Sequence, residues 1–484
     1  MRKTIGALAG IVTVLSSCGG DSSSSRTSVT PPTAAPSPPT STAGCSLTER
    51  QNWAASQINS NYLFPETLPA NPSPAGYASV QDYIDFLTAG ARAQQKDRFF
   101  TYITSIEEEN AYYNSGANAG LGVRLSLTSN NELFVNEAFE NAPGLAAGLD
   151  RGTEIVGIGT NQSNIRTVAD ILASAGSQGL SDALGPSTAG VTRFYRIRNA
   201  GGEKTVSITK AEFELTPVSA RYGVKIIEDD GEKIGYLNLR QFIGPAEAPL
   251  RNAFTNFRNQ GVRKVIVDFR YNGGGLVSIA ETLGNLLGGG RSSSDIFSYT
   301  TFRQSLASNN ETTRFAPAGN AVAPLKLAFI GTGGTASASE LVMNSFIPYL
   351  SSDNALIGTN TYGKPVGQIA VDRPQCDDRL RVVAFRTENA NRQGDYYSGL
   401  ASFMKTTCVA ADDIRYQLGD PQEASTRQAL DFLKGRGTCT PIASSSASGG
   451  IRAQGNTQLV PTEKLELLTP QDATTPQRET PGLF

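Results

Sequence analysis

The stretch Lys264-Val265-Ile266-Val267-Asp268-Phe269-Arg270-Tyr271-Asn272-Gly273-Gly274-Gly275 decides the architecture. Within it, Val265-Ile266-Val267 is an unbroken, β-branched apolar run, the pattern of a strand buried on both faces. Three glycines then end the strand, and Leu276 to Leu287 continues with helical spacing. The same alternation repeats on either side. Lys233 to Leu239 and Leu325 to Ile330 read as strands, Leu250 to Asn259 and Ser337 to Tyr349 as helices. Strands alternating with helices predict an α/β domain of βαβ units over residues 216–440.

Before this domain the pattern changes. Residues 116–215 are β-rich: Val123 to Leu127 alternates, Glu132 to Val135 and Glu154 to Ile158 are short strands, and Ala142 to Leu149 reads as a short helix. Residues 45–115 read as a helical cap, with helical spacing over Leu47 to Ser60, Val80 to Ala93 and Phe99 to Glu109. Residues 18–44 are Ser, Thr, Pro and Ala, and 441–484 are similar, so both are expected to be disordered. The expected fold class is therefore multidomain α/β.

Composition narrows the chemistry. The 484 residues carry a net charge of -2, with no basic excess to attract a nucleic acid. There is no histidine. That excludes a Ser-His-Asp triad, a Cys-His pair and any His-ligated metal, and leaves Lys, Asp, Glu, Tyr or Cys for proton transfer. No metal site and no organic cofactor are expected.

Met1-Arg2-Lys3, an apolar stretch from Ile5 to Leu15 and small residues before Cys18 have the form of an export signal over residues 1–17. Leu15-Ser16-Ser17-Cys18 resembles the lipobox of bacterial lipoproteins. That resemblance implies lipidation of Cys18 and a place in the cell envelope, with Gly19-Gly20 favouring the outer membrane. Four further cysteines in an exported chain suggest two disulfides. Three connectivities are possible, and the expected one joins Cys376 to Cys408 and Cys45 to Cys439, clasping the ends of the globular part.

Two glycine-rich strand-to-helix turns are the candidate site. The first is Asn272-Gly273-Gly274-Gly275; the second is Gly331-Thr332-Gly333-Gly334-Thr335-Ala336-Ser337-Ala338-Ser339-Glu340. Both fall at the C-terminal ends of strands, where α/β sheets bind ligands, and glycines leave backbone N–H groups free to face an anion. Ser337 stands at the mouth of a helix, as an N-cap or as a nucleophile with the Ala338 N–H beside it. Without histidine its base would be a desolvated lysine. Lys364, in Thr361-Tyr362-Gly363-Lys364-Pro365-Val366-Gly367-Gln368, follows another apolar strand, Ala355 to Gly358, and has uncharged neighbours.

Together these pieces resemble the C-terminal processing peptidases, also called tail-specific proteases, over roughly residues 46–440. The resemblance implies a crotonase-like spiral of βαβ units as the catalytic core and a Ser-Lys dyad. Ser337 would be the nucleophile, Lys364 the general base and Gln368 the residue that orients it. The N–H groups of Ala338 and of Gly274 or Gly275 would form the oxyanion hole. Gly273 stands where relatives often have Pro, Pro365 follows Lys364 where Gly is common, and the Ser337-to-Lys364 spacing is about two residues longer than usual. Residues 116–215 resemble a PDZ domain, with Gly120-Leu121-Gly122-Val123 as a carboxylate-binding loop for peptides bound as an added strand.

Two other functions fit parts of the sequence. Gly331-Thr332-Gly333-Gly334-Thr335-Ala336 matches a dinucleotide fingerprint, with Asp353 about twenty residues on. Alternatively, the chain would be a non-catalytic, peptide-binding envelope lipoprotein. Ser207-Ile208-Thr209-Lys210 matches a penicillin-binding S-x-x-K pattern. It lies in an alternating, strand-like stretch, which puts Ser207 and Lys210 on opposite faces. The expected function is an exported, lipid-anchored serine endopeptidase that acts on proteins with unstructured or C-terminal tails.

Overall fold

The structure, a computed structural model, describes residues 43–443, 465–468, 470 and 473–484. The export signal over 1–17, Cys18 and most of the expected linker lie outside the described residues, as do 444–464, 469 and 471–472 of the expected tail.

The fold is mixed α/β and multidomain. Its central sheet has six strands in the order Val224–Asp229, Glu232–Asn238, Lys264–Asp268, Lys326–Gly331, Asn354–Gly358, Thr406–Val409. The first pair is antiparallel and all the others are parallel. Alternate residues of each strand serve opposite cores. Val265, Val267, Leu327 and Phe329 pack with helices Glu247–Asn259, Val277–Leu287 and Ala338–Leu350. Ile266, Ala328, Ile330 and Ile357 pack with helix Ala424–Lys434. Burial on both faces is why these strands read as continuous apolar runs.

A second, antiparallel sheet is built around Asp378–Glu388, flanked by Tyr102–Ser105, Val366–Arg373 and Ile296–Phe302. Its Val366, Leu380, Val382 and Val383 meet the helices Leu47–Asn61 and Val80–Leu87. The helix expected over Phe99 to Glu109 is only half present. Tyr102–Ser105 pairs as a strand with Asp378–Arg381, and the helix starts at Ile106. The β-branched run around Ile103 and Thr104 suits a sheet edge, and pairing outweighs local helical spacing.

A third sheet runs Glu466–Leu467, Val123–Leu127, Leu133–Ala138, Glu154–Gly159, Thr192–Asn199, Gly202–Thr209, with helix Val168–Leu184 packed on it. A buried ionic cluster ties it to the central sheet. Glu137 accepts from Arg124 at 2.7 Å and from Arg240 at 2.7 Å. Burial would raise the Glu137 carboxyl, but Arg240 and Arg124 outweigh it and hold the pKa at about 2.

The last described residues depart from the disorder expected for 441–484. Glu466–Leu467 is a strand, Thr475–Glu479 is a short helix, and Leu468, Leu483 and Phe484 are buried. The segment has few apolar residues, yet it borrows a sheet edge and two existing cores.

The disulfides also correct the expected pairing: they join Cys45 to Cys376 and Cys408 to Cys439. The Arg373 side chain donates to the Gly44 and Glu49 carbonyls, which brings the first helix beside Cys376. The Val409 N–H donates to Thr440 at 2.8 Å, which lays residue 439 alongside the strand carrying Cys408. Among the described residues, no helix is long and apolar enough to cross a membrane.

Candidate active site

Three turns leave the same edge of the central sheet. Parallel pairing sets Asn238 beside Asp268, Asp268 beside Ile330, and Gly331 beside Gly358. The turns after these strands, around 270–275, 332–337 and 359–364, therefore meet at one rim. Hydrogen bonds lace them together. The Ala336 N–H donates to the Asn272 carbonyl at 3.0 Å, the Thr335 hydroxyl to Phe269 at 2.8 Å, and the Tyr362 N–H to Thr335 at 2.9 Å.

Ser337 is the N-cap of helix Ala338–Leu350 and holds φ 54°, ψ -115°. That left-handed backbone is unusual for a residue with a Cβ and concentrates at functional sites. Glu340 holds it. Its fully buried carboxylate accepts from the N–H groups of Ser337 at 3.0 Å, Gly363 at 2.7 Å and Lys364 at 2.7 Å. One side chain thus fixes the serine turn and the lysine turn together. Burial pushes the Glu340 pKa up, opposed by the Thr361 hydroxyl and these N–H groups.

Lys364 is 9% exposed. Its Nζ donates to Gln368 Oε1 at 3.1 Å and lies 4.8 Å from the Phe100 ring centroid. Burial pushes its pKa below the ordinary lysine value, against the opposing pull of the Glu479 and Asp97 carboxylates. A lysine so desolvated gives up its proton more readily. The Gln368 amide donates to the Phe100 carbonyl, which turns its oxygen towards Lys364. Phe100 is held in turn by Asp97, which accepts from the Phe100 N–H at 2.7 Å. Arg98 donates to the Tyr362 and Gly363 carbonyls at 2.8 and 2.5 Å and stacks on the Tyr362 ring at 4.0 Å.

Gly274, at φ 114°, backs directly onto the serine turn: a Cβ there would lie 2.7 Å from Ser337 Cβ and 3.0 Å from the Ala338 nitrogen. The Gly274 N–H donates to Asn272 Oδ1 at 2.9 Å. Gly275 follows at φ 132°, bridged to Phe242. The structure thus brings Ser337, Ala338, Lys364, Gln368, Gly274 and Gly275 into one neighbourhood. Gly120-Leu121-Gly122-Val123 leads from a strand paired with Ala211–Glu214 into the third sheet, and the Leu121, Gly122 and Val123 N–H groups donate to the Phe484 oxygen at 3.1, 2.8 and 3.3 Å.

The sequence reading gave no role to Glu340, Asp97, Arg98, Phe100 or Asn272. Glu340 had a signal, since it stands three residues after Ser337, at capping-box spacing. The cap residues had none, because they reach the site only through tertiary packing.

The dinucleotide reading fails on geometry. Asp353 precedes strand Asn354–Gly358 and sits 4.0 Å from Lys326, at the sheet edge opposite the glycine turn. The S-x-x-K match is likewise not a site: Ser207 is exposed on a strand, while Lys210 is buried and donates to the Gly185 and Pro186 carbonyls at 2.7 and 2.9 Å.

Residues 233–394 match the model of Peptidase family S41. Over 331 residues the chain is 26% identical to a carboxyl-terminal-processing protease of Picosynechococcus, spanning 66% of this chain and 71% of that one. Over 310 residues it is 27% identical to carboxyl-terminal-processing peptidase 3, chloroplastic, of Arabidopsis thaliana, spanning 62% of this chain and 54% of that one. A crystal structure described as an S41 protease from Bacteroides fragilis shares the fold, with a TM-score of 0.60 at 22% identity over 79% of this chain and 97% of that one. The stretch that carries both glycine-rich turns, Ser337 and Lys364 is therefore a serine-type peptidase domain of family S41, in a chain homologous to the carboxyl-terminal-processing proteases.

Proposed function

We propose that Ser337 and Lys364 form the nucleophile-base pair of an exported endopeptidase. The observation that carries this reading is the Glu340 carboxylate, which joins the left-handed Ser337 to a buried lysine with a lowered pKa. Neutral Lys364 takes the Ser337 Oγ proton as Oγ attacks the scissile carbonyl carbon. The developing oxyanion is held by the Ala338 N–H and a glycine N–H of the first turn. Because Asn272 Oδ1 accepts the Gly274 N–H, that donor serves the oxyanion only after the turn adjusts. The tetrahedral adduct collapses to an acyl-serine, and the lysine proton passes to the leaving amine. Lys364 then deprotonates a water that hydrolyses the ester and restores Ser337. Gln368 keeps Nζ aimed throughout.

The substrate is a protein or peptide with an unstructured or C-terminal tail. Loop Gly120–Val123 and strand Val123–Leu127 act as a PDZ-like groove that takes a peptide end as an added strand. The chain is anchored in the bacterial cell envelope through lipid on Cys18. Cleavage of an unstructured protein by the unaltered chain, beside Ser337→Ala and Lys364→Ala, tests the catalytic reading. Cleavage that survives either substitution would refute it. Fatty-acid labelling that persists in Cys18→Ala would refute the anchor.

A further inference from the structure

The edge of strand Val123–Leu127 is already filled, and by this chain. Leu467 pairs with Ser126, and the Leu468 N–H donates to Leu125 at 3.0 Å. Further on, the Leu125 N–H donates to Gly482 at 2.8 Å and the Phe484 N–H donates to Val123 at 3.0 Å. The Phe484 oxygen takes the three loop N–H groups. The fit leaves no slack: a Cβ on Gly120 would lie 2.9 Å from the Phe484 carbonyl carbon. Phe484 is 2% exposed in the core of the third sheet, and Leu483 is buried beside Tyr112, Phe139 and Phe213. This is strand addition with two apolar anchors, performed in cis.

The same segment reaches the rim of the central sheet. A Cβ on Gly273 would lie 2.7 Å from the Glu479 oxygen and 3.1 Å from Pro481 Cδ. Gly274, one residue on, backs onto Ser337. Arg124 donates to the Pro481 carbonyl at 2.7 Å, and Tyr102 to the Glu479 carboxylate at 3.1 Å. Glu479 is also the leading carboxylate acting on Lys364.

We propose that residues 473–484 are an intramolecular ligand that fills the peptide groove, lies across the Gly273 turn and holds the peptidase closed until a competing peptide end with bulky apolar anchors displaces it. The occupancy of the groove stands on the hydrogen bonds above. Closure of the peptidase rests on the Ser337–Lys364 reading. Tethering gives such a ligand an effective concentration on the order of millimolar, so a free peptide of equal intrinsic affinity competes poorly. The structure fixes the chemistry of the competitor: extended backbone, a backbone oxygen for the loop, and two large apolar side chains in place of Leu483 and Phe484.

The test uses the full chain and a fluorescent peptide of residues 473–484. Binding is followed by anisotropy in a Ser337→Ala background, with and without Leu483→Asp/Phe484→Asp. A second variant, Gly482→Val, strains the tail at φ 82° and crowds the Leu125 carbonyl across the groove, 3.2 Å from the added Cβ. Loss of a buried aromatic anchor is worth about a decade or more in affinity, so the released variants should bind the peptide at least about tenfold more tightly than the unaltered chain. With Ser337 present they should also cleave an unstructured protein faster, and added peptide should reverse the gain. Equal peptide binding to all chains, no binding to the folded released variants, or tighter binding by released variants that cleave no faster than an active unaltered chain would overturn the proposal. A binding contrast with no cleavage by any chain would support the cis ligand and count against the peptidase reading instead.

Discussion

Gly274→Ala tests whether the first glycine turn positions the serine. The glycine holds φ 114°, which L side chains rarely adopt, and its added Cβ would stand 2.7 Å from Ser337 Cβ. Ordinary contact begins at 3.4 Å, so the two turns must separate by 3.4 − 2.7, or roughly 0.7 Å. The backbone strain costs about 1–3 kcal/mol, and the overpacking about as much again. A displacement near 1 Å at a catalytic group lowers rates by about 100-fold. The variant should therefore lose about 2–6 kcal/mol in urea unfolding followed by circular dichroism. Cleavage under conditions where it remains folded should fall by about two decades. Gly319→Ala, in open space on the surface, is the control and should change neither. Gly274→Ala with both the unfolding midpoint and the cleavage rate of the unaltered chain would refute the reasoning.

The other predictions concern charge and cross-links. Burial lowers the Lys364 pKa, so between that lowered value and the ordinary one the unfolded chain binds a proton that the folded chain refuses. This contribution to stability is full above the ordinary lysine value and lost as pH falls through the lowered one. Lys364→Met should therefore raise the Tm at neutral pH while abolishing cleavage; a lower Tm would contradict it. Cleavage by the unaltered chain should fall as pH drops through the lowered Lys364 value. Glu479→Gln removes a carboxylate that favours the charged lysine, so the acid limb of its pH–rate profile should move to lower pH. Cys45→Ser with Cys376→Ser opens a link across a sequence separation of 331 residues and should cost about 2–4 kcal/mol in urea unfolding.

The linear sequence alone determined the parts that depend on short-range pattern. Val265-Ile266-Val267 is apolar at every position because both faces of its strand are covered. Gly274 and Gly275 mark the first turn because they hold φ 114° and 132°, a backbone that residues with side chains rarely adopt. The missing histidine pointed to lysine before any geometry was known. Tertiary structure alone decided the rest. Glu340 reaches Lys364 across 24 positions of chain, and so joins it to Ser337, because neighbouring parallel strands end at the same rim. Arg98 and Phe100 reach Lys364 and its turn only because the cap packs on the second sheet. The disulfide partners follow from segments laid side by side, which cysteine spacing does not encode. Residues 465–484, polar and poor in apolar side chains, cannot build a core of their own. Residues 465–468 and 473–484 take defined places because a strand edge and two pockets elsewhere in the fold receive Leu468, Leu483 and Phe484, and local sequence carries no record of surfaces formed by distant parts of the chain.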